Sequence, residues 1–419
     1  MRVAHILRKY VPAEWGGTET ALLGLAKGLA AHDTRSVVFH PHAPTASPID
    51  PLAAAGCEMR QYHACVPVWG LAPAARRQLL AVGGNVLSFD LPWRLAREPG
   101  ISAIHTHSLG RIGGIAGTIA RRRRLPFVVT IHGGALDLPA DARRILSEPA
   151  TGGIEWGRVF GWWWRARHVL AEADAILTSN KREAALLRQQ YPDHEIMIQG
   201  HGVDTRLFRT DHRAAARTAY PAIAGRDVLL TVARIYPVKN QLWLLQQLPD
   251  LLARHPKLML VFAGGCTHAE YGAQVEREIA RRGLGGHVLL TGGLPPGDPR
   301  LVGLMQEARA AVLPSLAETY GLIIIESWAA GLPVVTTPTS GAVELITDGR
   351  DGLLFQLAEP AVFHTAIDRL LREPLFAARL ATAGLRLAET RHDITVLAGQ
   401  VKDLYERLSG GKHALRHSA

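Results

Sequence analysis

Glu318 and Glu326 stand with seven residues between them in Leu313-Pro-Ser-Leu-Ala-Glu318-Thr-Tyr320-Gly321-Leu322-Ile-Ile-Ile-Glu326. The apolar run from Ala310 to Leu313 reads as a buried strand, the Pro-Ser pair as its stop, and the residues after Gly321 as a helix ending near Gly331-Leu332-Pro333. A loop that opens a helix offers backbone N–H groups and a positive dipole end, which suits a phosphate. One carboxylate then lies on the loop and the other two turns into an apolar helix. An unpaired charge there is costly, so Glu326 is expected to have a hydrogen-bonding task such as holding sugar hydroxyls. A salt-bridged structural Glu is the alternative. A basic pair, Arg234 and Lys239 in Val232-Ala-Arg234-Ile-Tyr-Pro-Val-Lys239-Asn240, follows another strand. A guanidinium chelates phosphate oxygens and an ammonium adds compact charge. Together with a helix start at Gly321, the pair would neutralise a departing diphosphate.

Other candidates lie at strand ends. Trp15-Gly16-Gly17-Thr18-Glu19 follows the first strand and opens the first helix. Adjacent glycines let a backbone approach a ligand closely, although a plain β–α turn would look the same. His132 ends the strand before Gly133-Gly134, at the edge where open α/β sheets bind ligands. His105 and His107 share one face of a strand. Zinc would need further ligands, so hydrogen-bonded edge histidines are the favoured reading and no metal site is expected. Phe262-Ala-Gly-Gly265 and Thr291-Gly-Gly-Leu294 are glycine turns of the kind on which nucleotide bases rest.

Embedded between "LPS" and "GLPVVTT", Glu318 and Glu326 resemble the E-x7-E motif of retaining family-4 glycosyltransferases. That resemblance implies a GT-B fold, with two Rossmann-like, doubly wound parallel-sheet domains facing across a cleft. Arg234 and Lys239 match the family's R-x4-K pattern, and Gly16, Gly17 and Glu19 its G-G-x-E. His201-Gly-Val-Asp204 is similar to its N-G-V-D turn, with His for Asn, and Thr339-Ser-Gly341-Ala-Val-Glu344 to its downstream glycine loop. The implied reaction moves a hexosyl group from a nucleotide-diphosphate sugar to an acceptor hydroxyl with retention. Glu318, Arg234, Lys239 and His132 are the implied catalytic residues. Gly16, Gly17, Glu326, Tyr320, Gly321, Leu322 and Leu294 would bind the donor, and Glu19 and His107 the acceptor. Tyr320 replaces the usual Phe and leaves the donor sugar open. No Asp-x-Asp occurs, which argues against transferases that hold Mn²⁺ or Mg²⁺ on such carboxylates; no cofactor is expected. A sugar-nucleotide epimerase, a disaccharide phosphorylase and a non-enzymatic anion-binding scaffold are the rival readings.

The bulk numbers fit. The 419 residues predict two or three domains, 47% apolar and 20% charged, with no apolar stretch of membrane-spanning length. Three cysteines and no hydrophobic leader predict a reduced, cytoplasmic protein. The first 200 residues hold 23 Lys and Arg against 16 Asp and Glu, so they carry seven of the ten excess positive charges. With Arg121–Arg124, this excess suits an anionic membrane surface at the inner face of the plasma membrane, or four arginines complementing a helix dipole. No nucleic-acid motif accompanies it. The Trp-rich stretch Ile154–Arg167 reads equally as a membrane-interface segment for a lipid-linked acceptor or as a core helix burying Val159, Trp162, Trp163, Ala166 and Val169.

Positioning these residues requires alternating strands and helices, which predicts parallel sheets covered on both faces. The pattern covers 1–205, lapses into an expected connection over Thr205–Arg226, and restarts at Asp227. The expected division is 1–205 with a returning helix at 393–408, then 206–392, then a disordered tail at 410–419.

Overall fold

A computed structural model describes residues 1–11, 17–42, 50–71, 76, 86–132, 154–179, 181–295, 297–318 and 320–417. The chain divides into two compact units, Met1–His201 with Ile394–Ala419, and Gly202–Asp393.

The first unit contains β1 (Arg2–Ile6), β2 (Arg35–Pro41), β3 (Glu58–Tyr62), β4 (Val68–Trp69), β5 (Ala103–Thr106), β6 (Phe127–Ile131), β7 (Ile154–Glu155), β8 (Ala175–Thr178) and β9 (Glu195–Ile198). Seven of these form one sheet in the order β3-β2-β1-β5-β6-β8-β9, all paired in parallel. β1, β5, β6 and β8 are almost wholly buried, as a sheet covered on both faces requires. Helix Gly17–Ala30 and the last helix, Ile394–His417, pack together and cover one face: Val3, Leu29, Val128 and Leu177 share a core with Ala398, Val401, Leu404 and Tyr405. That last helix continues to His417, into the stretch expected to be a disordered tail.

The second unit contains β10 (Asp227–Val232), β11 (Leu258–Ala263), β12 (Val288–Gly292), β13 (Ala310–Leu313), β14 (Val334–Thr336) and β15 (Leu353–Leu354), in the parallel order β12-β11-β10-β13-β14-β15.

Two expectations are corrected. Thr205–Arg226 is no simple connection: helices Thr205–Arg209 and Arg213–Ala219 bury Phe208, Ala216 and Ile223 in the second unit's core. The Trp-rich stretch is no core helix either. Its helix spans only Arg158–Trp163, and Arg165, at φ 53°, turns the chain out of the helical path. Val159, Trp162 and Trp163 are therefore 67%, 80% and 63% exposed, while Val169 alone of the proposed core set is fully buried.

Candidate functional site

The candidate residues fall into two sets, one in each unit. In the second unit they gather at the carboxyl edge of the sheet. Arg234 follows β10, Leu294 follows β12, and Glu318 lies on the loop leaving β13. Lys239 is ion-paired with Glu318, and Leu316 N–H donates to the Val238 carbonyl at 2.8 Å, so the basic turn and the acidic loop are tied by both side chain and backbone. Arg234 is exposed beside the Tyr236 ring, 6.0 Å from its centroid.

Gly321 adopts φ 84°, ψ 46° and opens helix Leu322–Ala329, with no side chain capping the first turn. A residue with a Cβ would be strained in that left-handed conformation. Ile324 N–H donates to the Gly321 carbonyl at 2.8 Å, and the Leu322 and Ile323 amides ahead of it keep their hydrogen-bonding capacity for an anion. Beneath the loop, Gly341 N–H donates to the Glu318 carbonyl at 2.9 Å and Ser340 Oγ donates to it at 3.0 Å. A Cβ on Gly341 would come within 2.7 Å of the Tyr320 backbone, so the downstream glycine turn fits only without a side chain. Tyr320 is partly buried against the core. Glu326 lies half-buried on the helix with no protein partner among the described residues, and desolvation pushes its carboxyl up to about 7.

In the first unit, Gly17 begins helix Gly17–Ala30 and Glu19 is buried in its first turn; Gly16, Gly133 and Gly134 lie outside the described residues. His132 follows β6 directly and is hydrogen-bonded through Nε2 to His107 Nδ1 at 2.8 Å. His107 Nε2 lies 3.1 Å from His5 Nδ1, so both ring nitrogens of His107 are already engaged. An acceptor hydroxyl reaching His107 would have to displace one of these bonds. His201 stacks over His132, with ring centroids 6.1 Å apart. Burial holds His132 near about 3 and His201 near about 4, so both are neutral.

His5, His105 and His107 bring ligating nitrogens within 4.8 Å of one another, close enough to raise the question of a metal. The His105 nitrogens, however, lie 2.6 Å from the Tyr405 hydroxyl and 2.6 Å from the Thr130 hydroxyl, and His5 and His107 bond to each other. These bonds engage both nitrogens of His105 and, with His132, both of His107, while His5 Nε2 has no partner among the described residues. Sequence reading missed His5 and Tyr405. The signal for His5 was a polar residue inside the buried run Val3-Ala4-His5-Ile6; Tyr405, 300 residues from His105, left none.

The first unit also bears an exposed aromatic surface assembled from three separate stretches. The pairing of β4 with β7 sets Trp69 opposite Ile154, and Phe89 stacks on Trp156 with ring planes 3° apart. Trp69, Phe89, Trp93, Ile154, Trp162 and Trp163 are all exposed, and Arg97 sits 4.2 Å over the Trp93 ring. Arg111, buried and ion-paired with Glu155, anchors the segment to helix Gly110–Arg123. The arginine run ends that helix as the dipole argument expects, with Arg121 paired to Glu172.

Two family models match the chain: "Glycosyl transferase 4-like domain" over residues 16–200 and "Glycosyl transferases group 1" over residues 213–386. The chain is 28% identical to a D-inositol 3-phosphate glycosyltransferase of Nocardioides sp., over 94% of this chain and 85% of that one. It is 29% identical to the protein of the same name from Streptomyces bingchenggensis, over 96% and 87%. Among solved structures, HepE of Anabaena in complex with UDP superposes with a TM-score of 0.68 at 17% identity, covering 97% of this chain and 100% of the other. WaaG, a glycosyltransferase involved in lipopolysaccharide biosynthesis, superposes with a TM-score of 0.60 at 17% identity, over 96% and 99%. The fold is GT-B, built from two Rossmann-like units of parallel sheet.

Proposed function

Since the chain belongs to the group 1 glycosyl transferases, the retaining enzymes of family 4, we propose that it moves a hexosyl group from a nucleotide-diphosphate sugar to an acceptor hydroxyl, without a metal. The observation that carries this reading is the Lys239–Glu318 pair beside the uncapped helix start at Gly321. In the resting chain the two charges neutralise each other. A donor diphosphate takes up Lys239, and the sugar hydroxyls take up Glu318, so the pair opens onto the two ends of one ligand.

Retention follows from departure of the nucleotide diphosphate and arrival of the acceptor oxygen on one face of the sugar. The transition state carries oxocarbenium character on the sugar and growing negative charge on the leaving phosphate. Arg234, Lys239 and the amides after Gly321 are fixed positive groups at that phosphate, and such preorganised contacts supply much of a transferase's rate. Glu326 holds the ribose hydroxyls, while Tyr320, Gly321, Leu322 and Leu294 line the nucleotide. In the first unit we assign His132 to catalysis, Gly16 and Gly17 to the donor and Glu19 to the acceptor.

The acceptor we propose is a saccharide or a lipid-linked saccharide. The exposed aromatic surface and the arginines around it suit a peripheral seat on an anionic bilayer, where Trp prefers the headgroup level and each basic residue adds about 1 kcal/mol. No helix among the described residues is long and apolar enough to cross a membrane. The Nocardioides and Streptomyces relatives carry a phosphorylated inositol in their names, which makes polyol phosphates worth including among candidate acceptors. The deciding experiment screens UDP-, GDP- and ADP-sugars by thermal shift, then follows nucleotide release with and without acceptor. Binding of no nucleotide sugar would refute the reading.

A further inference from the structure

The basic turn is fastened to the sheet along one side. Ala233 N–H donates to the Ala263 carbonyl at 3.1 Å and Ile235 N–H to the Gly265 carbonyl at 3.0 Å, which carries the β10–β11 pairing past both strand ends. Main-chain groups alternate along an extended chain, so those of Arg234, between these two residues, point away from β11. The strand on that side is β13, which pairs with β10 further back, at Leu229 and Leu230. Past the strand ends a side chain takes its place. Gln241, the first residue of helix Gln241–Arg254, donates from Nε2 to the Arg234 carbonyl at 3.0 Å.

The buried face of that helix reads Gln241, Leu244, Leu245, Leu248 and Leu251, so Gln241 is the polar member of a leucine stripe, and it is 0% exposed. Burying an amide is costly unless it is hydrogen-bonded. A carbonyl can only accept, which turns the NH₂ toward Arg234 and leaves Oε1 buried with no partner among the described residues. The orphaned oxygen is a standing cost that a leucine would not carry. What glutamine adds over leucine at this position is the bond to Arg234.

The two cations of the turn are secured differently. Lys239 is ion-paired with Glu318, and the neighbouring Val238 carbonyl accepts from Leu316 N–H. The Arg234 side chain is exposed and makes no hydrogen bond or ion pair among the described residues; the Tyr236 ring stands beside it, with its centroid 6.0 Å away. Its main chain therefore aims it. The anchor is itself fixed, because Leu242 N–H donates to the Tyr271 hydroxyl of helix Ala269–Arg281 at 3.2 Å.

We propose that Gln241 is a positioning residue: it holds the Arg234 main chain so that the guanidinium meets the donor diphosphate already aimed. The diphosphate as ligand rests on the glycosyl-transfer reading above, whereas the clamp lies wholly within the second unit.

A double-mutant cycle on the full chain tests this, read by calorimetric titration with UDP, GDP and ADP. Gln241→Leu should weaken binding of the nucleoside diphosphate that the parent accepts by about tenfold, the worth of one hydrogen bond. Arg234→Ala should weaken it by about 10–100-fold, as loss of a charge-assisted contact does. Because Gln241 acts through Arg234, the double variant should bind no worse than Arg234→Ala alone. A residue that merely stabilises the fold gives losses that add, so additive losses would overturn the proposal, as would parent-like affinity in Gln241→Leu. Gln241→Met also lacks the donor and gives the same cycle with a longer apolar side chain, so the outcome does not hang on one variant folding. A parent that binds none of the three nucleotides overturns the transferase reading and the proposal with it. A parent that binds one of them while the losses add overturns the proposal alone.

Discussion

Glu326→Gln removes an ionisable group from an apolar helix while keeping its shape, and the consequences for stability and for turnover should have opposite signs. The Glu326 carboxyl is raised from its ordinary 4.5 to about 7 by desolvation alone. Between those values the folded chain holds a proton that the unfolded chain has released, so the stability it contributes is full below pH 4.5 and is lost as pH rises to 7. The ceiling on that loss is about 3 kcal/mol, from 1.36 kcal/mol for each pH unit of displacement. Gln cannot titrate. The variant should match the parent near pH 4 and exceed it above pH 7, where the melting transition of a unit this size moves up by about 6–12 °C. Ribose hydroxyls donating to the ionised carboxylate reverse the balance, so a nucleotide sugar should stabilise the parent more than the variant at pH 8. Loss of that contact should lower turnover by about 10². The assay is thermal unfolding from pH 4 to 8.5 with and without donor, alongside initial rates. Parallel stability curves for the two proteins would refute the burial argument, and parent-like turnover would remove Glu326 from the donor site.

Lys239→Ala should cut turnover by about 10²–10³ with little effect on folding; a parent-like rate would remove Lys239 from the diphosphate seat. Transfer should persist in excess EDTA, and an activity abolished by chelation and restored by Mn²⁺ or Mg²⁺ would overturn leaving-group stabilisation by cations and amides. Cosedimentation with anionic vesicles should weaken at high salt and in a Trp162→Ser, Trp163→Ser double variant. Equal binding to neutral and anionic vesicles, or binding to neither, would point to a soluble acceptor. Gly341→Ala should raise KM for the donor by displacing the loop around Tyr320, and an unchanged KM would count against that packing.

The alternating pattern in the sequence located both parallel sheets because fully buried strands such as Phe127–Ile131 and Ala310–Leu313 are short apolar runs punctuated by turns. The basic turn at Lys239 and the loop at Glu318 were legible as motifs, but their ion pair was not, since 79 residues separate them and only the β10–β13 adjacency brings them together. The Trp-rich stretch misled for a local reason. Its spacing fits a helical face, yet the helix stops after six residues and periodicity beyond that point has no meaning. Phe89 and Trp69 had no individual signature; Trp69 meets Trp156 across the short β4–β7 ribbon and Phe89 stacks on the same ring. Of the three linked histidines, His107 and His132 were legible at strand ends and His5 was not, because nothing in β1 announces which neighbour it will face.

The last helix gives the chain an order of assembly. Val3 and Leu29 share their core with Ala398, Val401, Leu404 and Tyr405, His32 bonds to the Thr395 carbonyl at 2.8 Å, and Tyr405 supports His105. The unit that begins first is thus the one that finishes last. On a ribosome adding about 5–20 residues per second, the residues of the second unit take about 10–40 s to emerge. Through that interval the nascent first sheet has a partly uncovered apolar face and an unsupported His105, and at its end the second unit has every residue it needs while the first still lacks its last helix. During synthesis the second unit can therefore be native before the first, and the exposed face is where a chaperone would be needed.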